Sequence, residues 1–192
     1  REGAAERRHL TVMFCDLADS TELSGQLDPE DLRDVIAAYQ SAAAAQIEKW
    51  GGYIARYMGD GILVYFGYPQ AHEDDPERAV HAGLDIIAKV NHLDVRPDLA
   101  MHVRIGVATG VVVAGDIIGE GASEERVVLG VTPNLAARLQ SLAEYDTVVI
   151  SDRTHRLTGG FFDYEDLGPH QLKGIKDPEN AWRVTGTSQT TS

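Results

Sequence analysis

The sequence predicts an α+β fold: a ferredoxin-like βαββαβ core, a mostly antiparallel sheet with helices packed on one face, and a C-terminal α/β extension. Two observations carry this. Apolar residues switch between strand and helix spacing along the chain, in the order strand, helix, hairpin, helix, strand. Two of the strands are joined by only Gly59-Asp60-Gly61, which makes them antiparallel neighbours and disfavours a purely parallel sheet.

The elements follow in order. Leu10, Val12 and Phe14 alternate with Thr11, Met13 and Cys15, a strand that runs into Asp16 and the small polar stretch Ala18-Asp19-Ser20-Thr21. A long helix comes next. Asp28 is a natural N-cap, Pro29 suits the first helical position, and Glu30 and Asp31 sit at the positive end of the dipole. Leu32, Val35, Ile36, Tyr39, Ala43, Ile47 and Trp50 recur every three or four residues, and Gly51-Gly52 ends the helix. Tyr53–Met58 and Ile62–Phe66 make the hairpin, with its tip at Asp60. Asp75-Pro76 opens a second helix with Val80, Leu84, Ile87 and Val90 on one face.

Met101, Val103, Ile105 and Val107 read as a strand that turns at Gly110 into Val111–Val113. Gly119–Glu125 reads as a polar loop and Val127–Leu129 as a short strand. Thr132-Pro133 is read as the cap of a third helix, which buries Leu135, Leu139 and Leu142. Val148–Ile150, Phe161–Leu167 and Ala181–Val184 read as later strands, with Lys173-Gly174 in a turn. Residues 1–8 are a polar lead-in, 9–185 one domain, and 186–192 a Thr/Ser-rich tail expected to be disordered.

Composition narrows the function. The 17 Lys plus Arg against 30 Asp plus Glu leave a net charge of −13 over 192 residues, which excludes a general binder of duplex DNA or RNA. No apolar run reaches the roughly 20 residues of a membrane span, and the charged N-terminus lacks a signal-peptide pattern. The expected location is the cytoplasm or the cytoplasmic face of a longer parent chain, without direct membrane insertion. The single cysteine, Cys15, excludes an internal disulfide framework and a Cys-based zinc cluster.

Two carboxylates stand out. Asp16 ends the first strand and Asp60 sits between glycines at the hairpin tip, and the two strands can be neighbours in one sheet. Paired carboxylates repel unless a cation lies between them, and hard oxygen ligands suit Mg²⁺ or Mn²⁺. The plainer reading makes Asp16 a turn cap and Asp60 a turn former; the pairing and the flanking glycines favour metal. Asn134 and Arg138, four apart on a helix and off its leucine face, form an anion-facing pair, although a solvated face is the commoner fate of such residues. By itself Lys173 reads as a surface charge, and Arg56 as a solvated or acid-paired strand arginine.

Taken together these motifs resemble the catalytic domain of class III nucleotidyl cyclases, the adenylate and guanylate cyclase family of bacterial type. Phe14-Cys15-Asp16-Leu17, Arg56-Tyr57-Met58-Gly59-Asp60-Gly61, Gly130 to Arg138 and Leu172-Lys173-Gly174 occur in one order over roughly His9 to Thr185. The resemblance implies that Asp16, Asp60 and the Leu17 backbone bind two Mg²⁺ or Mn²⁺ ions per site. It implies that Asn134 and Arg138 contact the ribose and α-phosphate in the transition state, and that Lys173 and the loop Leu17-Ala18-Asp19-Ser20-Thr21 hold the terminal phosphates. Arg56 and Val127 fall at base-reading positions. The family further implies a homodimer whose sites combine Asp16 and Asp60 of one copy with Arg56, Asn134, Arg138 and Lys173 of the other.

Three positions depart from the pattern. Arg56 replaces the usual Lys, Val127 cannot accept a hydrogen bond from an adenine amino group, and Asp19 stands where many relatives have Gly. The metal and transition-state set Asp16, Asp60, Asn134, Arg138 and Lys173 is intact, and on that ground the expected activity is an adenylate cyclase making 3′,5′-cyclic AMP from ATP. The alternatives are a guanylate or relaxed-specificity cyclase using GTP, or a non-catalytic nucleotide-sensing dimerisation module, with further domains of a parent chain as added partners. A diguanylate-type cyclase is disfavoured, since Gly59-Asp60-Gly61 is followed by apolar Ile62.

Overall fold

The computed structural model describes residues 7–113 and 130–189. Strand β1 (Arg7–Leu17) is followed by helices α1 (Ser20–Gln26) and α2 (Pro29–Lys49), and the hairpin β2 (Tyr53–Met58) and β3 (Gly61–Phe66). Helix α3 (Asp75–Asn91), β4 (Val103–Val113), α4 (Val131–Leu142), β5 (Thr147–Ile150), α5 (Asp152–Thr158), β6 (Phe162–His170) and β7 (Glu179–Thr187) complete the described chain. The strands form one seven-stranded sheet in the order β2-β3-β1-β4-β5-β7-β6, antiparallel except between β4 and β5. The first four strands give the ferredoxin-like core, and the rest form the α/β extension.

The sheet is covered on both faces, and strand alternation decides what goes where. Met13, Cys15 and Leu17 of β1 and Ile62, Val64 and Phe66 of β3 face the two core helices, packing on Val35, Tyr39, Ala43 and Ile47 of α2 and Val80 and Ile86 of α3. Leu10, Val12, Phe14, Leu63 and Tyr65 face the other way, toward Leu135, Ala136 and Leu139 of α4. The core helices thus share one face, and the extension supplies the helix on the other.

Helix α2 starts as its sequence dictates: the Asp28 carboxylate accepts from the Asp31 amide at 2.8 Å, with Pro29 in the first turn. Helix α4 corrects two expectations. Gly110 is not a turn; β4 runs straight through it, paired with Leu10. Thr132 is not the cap; Gly130 holds that position, and the Thr132 hydroxyl donates to the Val111 carbonyl at 2.9 Å. The reason is close packing of α4 on β4. A Cβ at Gly106 would lie 2.2 Å from the Ala136 carbonyl oxygen, and one at Gly110 would lie 2.5 Å from the Thr132 hydroxyl. Gly106 and Gly110 therefore form the seat of α4, on the face of β4 that also carries Ala108.

Other boundaries move outward. β1 takes in Arg7 and Arg8 from the lead-in, and β7 takes in Gly186 and Thr187 from the expected tail. Helices α1 and α5 are too short for periodicity to reveal, and Ser20 and Thr21 belong to the first turn of α1 rather than to a loop. The Gly119–Glu125 loop, the Val127–Leu129 strand and the base-reading position Val127 lie outside the described residues. Among the described residues no helix is long and apolar enough to cross a membrane.

Candidate active site

The carboxylate pair forms at one end of the sheet. β1 and β3 are neighbours, with Cys15 opposite Ile62, so Asp16 falls beside Gly61 and Asp60 sits at the adjoining turn. Asp16 points to the α4 face, where the Gln140 amide donates to its Oδ2 at 3.2 Å. Burial and the neighbouring Asp60 carboxylate push the Asp16 acid up to about 7, while Arg104, its cross-strand partner, and Gln140 pull the other way. Asp16 Oδ1 and Asp60 Oδ2 are both buried without a hydrogen-bond partner among the described residues. Two orphaned oxygens on crowded carboxylates fit a hard divalent cation, which would satisfy both and relieve their repulsion. Among the described residues no third His, Cys, Asp or Glu joins them, so the remaining ligands would be the Leu17 carbonyl, water or substrate oxygens.

Beside the pair, the chain turns at Ala18 and Asp19. The Ala18 amide is tied to the His102 carbonyl at 2.8 Å, and Asp19 adopts a left-handed conformation with φ 59°. Such a backbone favours Gly and tolerates Asp, which explains how a carboxylate residue occupies this position. The Leu17 side chain is buried on the α2 side, so any contribution of Leu17 to the site would come from its backbone. Cys15, next in line, is inert: it is fully buried, accepts from the Tyr39 hydroxyl at 3.3 Å, and its thiol is pushed up to about 12 by burial.

A second group assembles at α4. The Arg138 Nε donates to the Lys173 carbonyl at 3.1 Å. Gly174 lies so close to Asn134 that a Cβ there would sit 2.8 Å from the Asn134 amide nitrogen, and its φ of 81° is a conformation glycine takes without strain. Asn134, Arg138 and Lys173 thus come together within one chain, with Lys173 exposed in its turn.

The two groups do not meet. Arg138 and Gln140 are two residues apart on α4, which places them about 200° around the helix from each other. Gln140 faces Asp16, so Arg138 faces away from it.

Arg56 is set on the α4 face by a β-bulge. The pairing of β2 with β3 slips by one residue between Ile54 and Arg56, so that Arg56 stands opposite Leu63 instead of Ile62. Without the slip it would join the opposite face. Its Nη1 is buried with no partner among the described residues. Arg104 and Gln140 are site residues that sequence reasoning missed. Arg104 sits within an apolar strand and Gln140 within a leucine face, and neither has a spacing signal; Asp16 finds them only through strand and helix packing.

Residues 3–186 match the family model for the adenylate and guanylate cyclase catalytic domain. An adenylate cyclase of Streptomyces coelicolor is 30% identical over 145 residues, covering 74% of this chain and 32% of the relative. The crystal structure of the guanylyl cyclase Cya2 superposes with a TM-score of 0.85 at 31% identity, covering 98% of this chain and 97% of that one. The guanylate cyclase domain of RhGC from Catenaria anguillulae, solved in complex with GTP, gives a TM-score of 0.85 at 27% identity, covering 96% of this chain and 100% of that one. The chain spans between 18% and 32% of the length of the first three curated relatives.

Proposed function

The chain belongs to the adenylate and guanylate cyclase catalytic domain family, and from that premise we propose that it converts ATP to 3′,5′-cyclic AMP and pyrophosphate at sites formed across a homodimer interface. The observation that carries the dimeric reading is the opposition across α4: the carboxylate pair and the Asn134–Arg138–Lys173 group face different sides of one helix. A single chain holds both halves and cannot close them on one substrate, whereas two copies in a twofold arrangement could build two complete sites.

In this reading Asp16, Asp60 and the Leu17 carbonyl hold two Mg²⁺ or Mn²⁺ ions. When bound, these supply Lewis-acid activation of the ribose 3′-hydroxyl and neutralise the β- and γ-phosphates. The backbone of Leu17 to Thr21 and the Lys173 ammonium hold the terminal phosphates. Asn134 orients the ribose, and Arg138 donates to the non-bridging oxygens of the α-phosphate as charge builds there. The Arg138 Nε is already committed to the Lys173 carbonyl, which fixes the plane of the guanidinium and leaves its Nη donors for phosphate. The bond from the ribose O3′ to the α-phosphorus forms, the bond to pyrophosphate breaks, and the hydroxyl proton leaves to solvent.

A guanylate or relaxed-specificity cyclase is the second reading, favoured by Arg56 in place of Lys and by Val127. Purified protein incubated with Mg²⁺ or Mn²⁺ and equal ATP and GTP decides between them. The expected product is mainly cyclic AMP; a preference for GTP selects the second reading. No product from either nucleotide, at high protein and metal, means a non-catalytic module.

A further inference from the structure

Two polar groups are stranded together on the α4 face. Arg56 Nη1 and the Tyr65 hydroxyl are both buried without a hydrogen-bond partner among the described residues. They are close enough to feel one another: burial raises the Tyr65 phenol well above its ordinary value, and the Arg56 charge is the main influence opposing that rise. Their adjacency is built by the bulge, which puts Arg56 opposite Leu63, two residues from Tyr65 and on the same side of β3. Across the hairpin Tyr65 pairs with Tyr53, whose ring meets Tyr68 edge to face at 5.1 Å between centroids.

A buried hydroxyl with no partner destabilises a core, and a phenylalanine would fill the same space without that penalty. A hydroxyl kept there beside an equally unpartnered guanidinium calls for a ligand that satisfies both. The guanidinium only donates; the phenol donates or accepts. A purine edge offers that complement, an acceptor next to an N–H donor: N1 beside the amino group in adenine, O6 beside N1–H in guanine.

We propose that Tyr65 belongs to the purine subsite, its hydroxyl accepting from the base while Arg56 donates to the neighbouring acceptor. This rests on the nucleotide-cyclase reading above and adds to it a residue that reads the base. Because the phenol serves either purine, the pair discriminates weakly between ATP and GTP, and both nucleotides gain affinity from it.

The test is Tyr65→Phe in the full chain, read by binding and by melting. Affinity for 2′,3′-dideoxy-ATP and 2′,3′-dideoxy-GTP, which cannot cyclise, is expected to fall by about three- to tenfold, the worth of one neutral hydrogen bond. Affinity for pyrophosphate, which has no base, is expected to stay unchanged. The melting temperature is expected to hold or rise, since an unsatisfied hydroxyl is removed; a structural hydroxyl would instead lower it. Unchanged nucleotide affinity, an equal loss for pyrophosphate, or a lowered melting temperature would each overturn the proposal. Failure of the cyclase reading shows separately, as wild-type protein that makes no cyclic nucleotide while these binding ratios remain measurable.

Discussion

The carboxylate pair and the α4 cluster solve opposite problems. Asp16 and Asp60 are held by the sheet, in strand register, half-buried and crowded until a cation separates them. Asn134, Arg138 and Lys173 sit on a helix and a turn, more open to solvent, braced by one carbonyl and one glycine. The first group carries repulsion that a bound cation relieves; the second offers donors that suit an anion. Each is assembled within one chain and chemically unfinished, and α4 stands between them. Under the proposed function, that arrangement would let a protein of net charge −13 take a polyanion: its cations are local and few.

The most demanding way to break this contrast is to disable each half separately. Asp60→Ala is expected to abolish cyclic nucleotide formation to assay background, while the melting temperature holds or rises because a crowded charge is gone; retained activity would remove the carboxylates from the reaction. Arg138→Ala should lower kcat by about 10²-fold or more with a small change in KM, as expected for a donor used mainly in the transition state. Mixing the two inactive variants should then restore up to about one quarter of wild-type activity, since a mixed dimer carries one intact site. No recovery, with mixed dimers present, would place both halves in one chain's site.

Smaller effects sharpen the role of α4. Gly106→Ala forces a Cβ to within 2.2 Å of the Ala136 carbonyl oxygen and 2.3 Å of the Gln140 amide nitrogen. A loss of about 3 kcal/mol in urea unfolding is expected, with activity falling further than stability because Gln140 and Arg138 move together. Asp28→Ala removes the cap of α2 on the opposite face, and should lower stability by about 1 kcal/mol while kcat and KM stay as in wild type. A change in kcat there would mean that the α2 face also shapes the site.

Much of the fold was legible in the chain because its signals are local. The Asp28-Pro29 start of α2, the hairpin around Asp60 and the alternation of Leu10 to Cys15 each follow from neighbours in sequence. Gly110 departs for the same reason: a glycine after an apolar run signals a turn locally, whereas here it makes room for a helix that arrives about twenty residues later. Threonine suits caps, yet the Thr132 hydroxyl is drawn to the Val111 carbonyl by tertiary packing. Helices α1 and α5, seven residues each, are too short for any period to emerge.

The chain alone sets the residue types and their order: two aspartates at strand ends, an asparagine and an arginine one helical turn apart, and a lysine before glycine. It therefore determines which chemistry is available, since charge and ligand hardness belong to the side chains. Their company comes from folding. Register brought Asp16 to Asp60, a one-residue bulge turned Arg56 toward Tyr65, and the Gly106–Gly110 seat oriented α4 so that Gln140 faces one half-site and Arg138 the other. These placements depend on strand neighbours and helix contacts far apart in the chain, and a pattern of local periods carries no information about them.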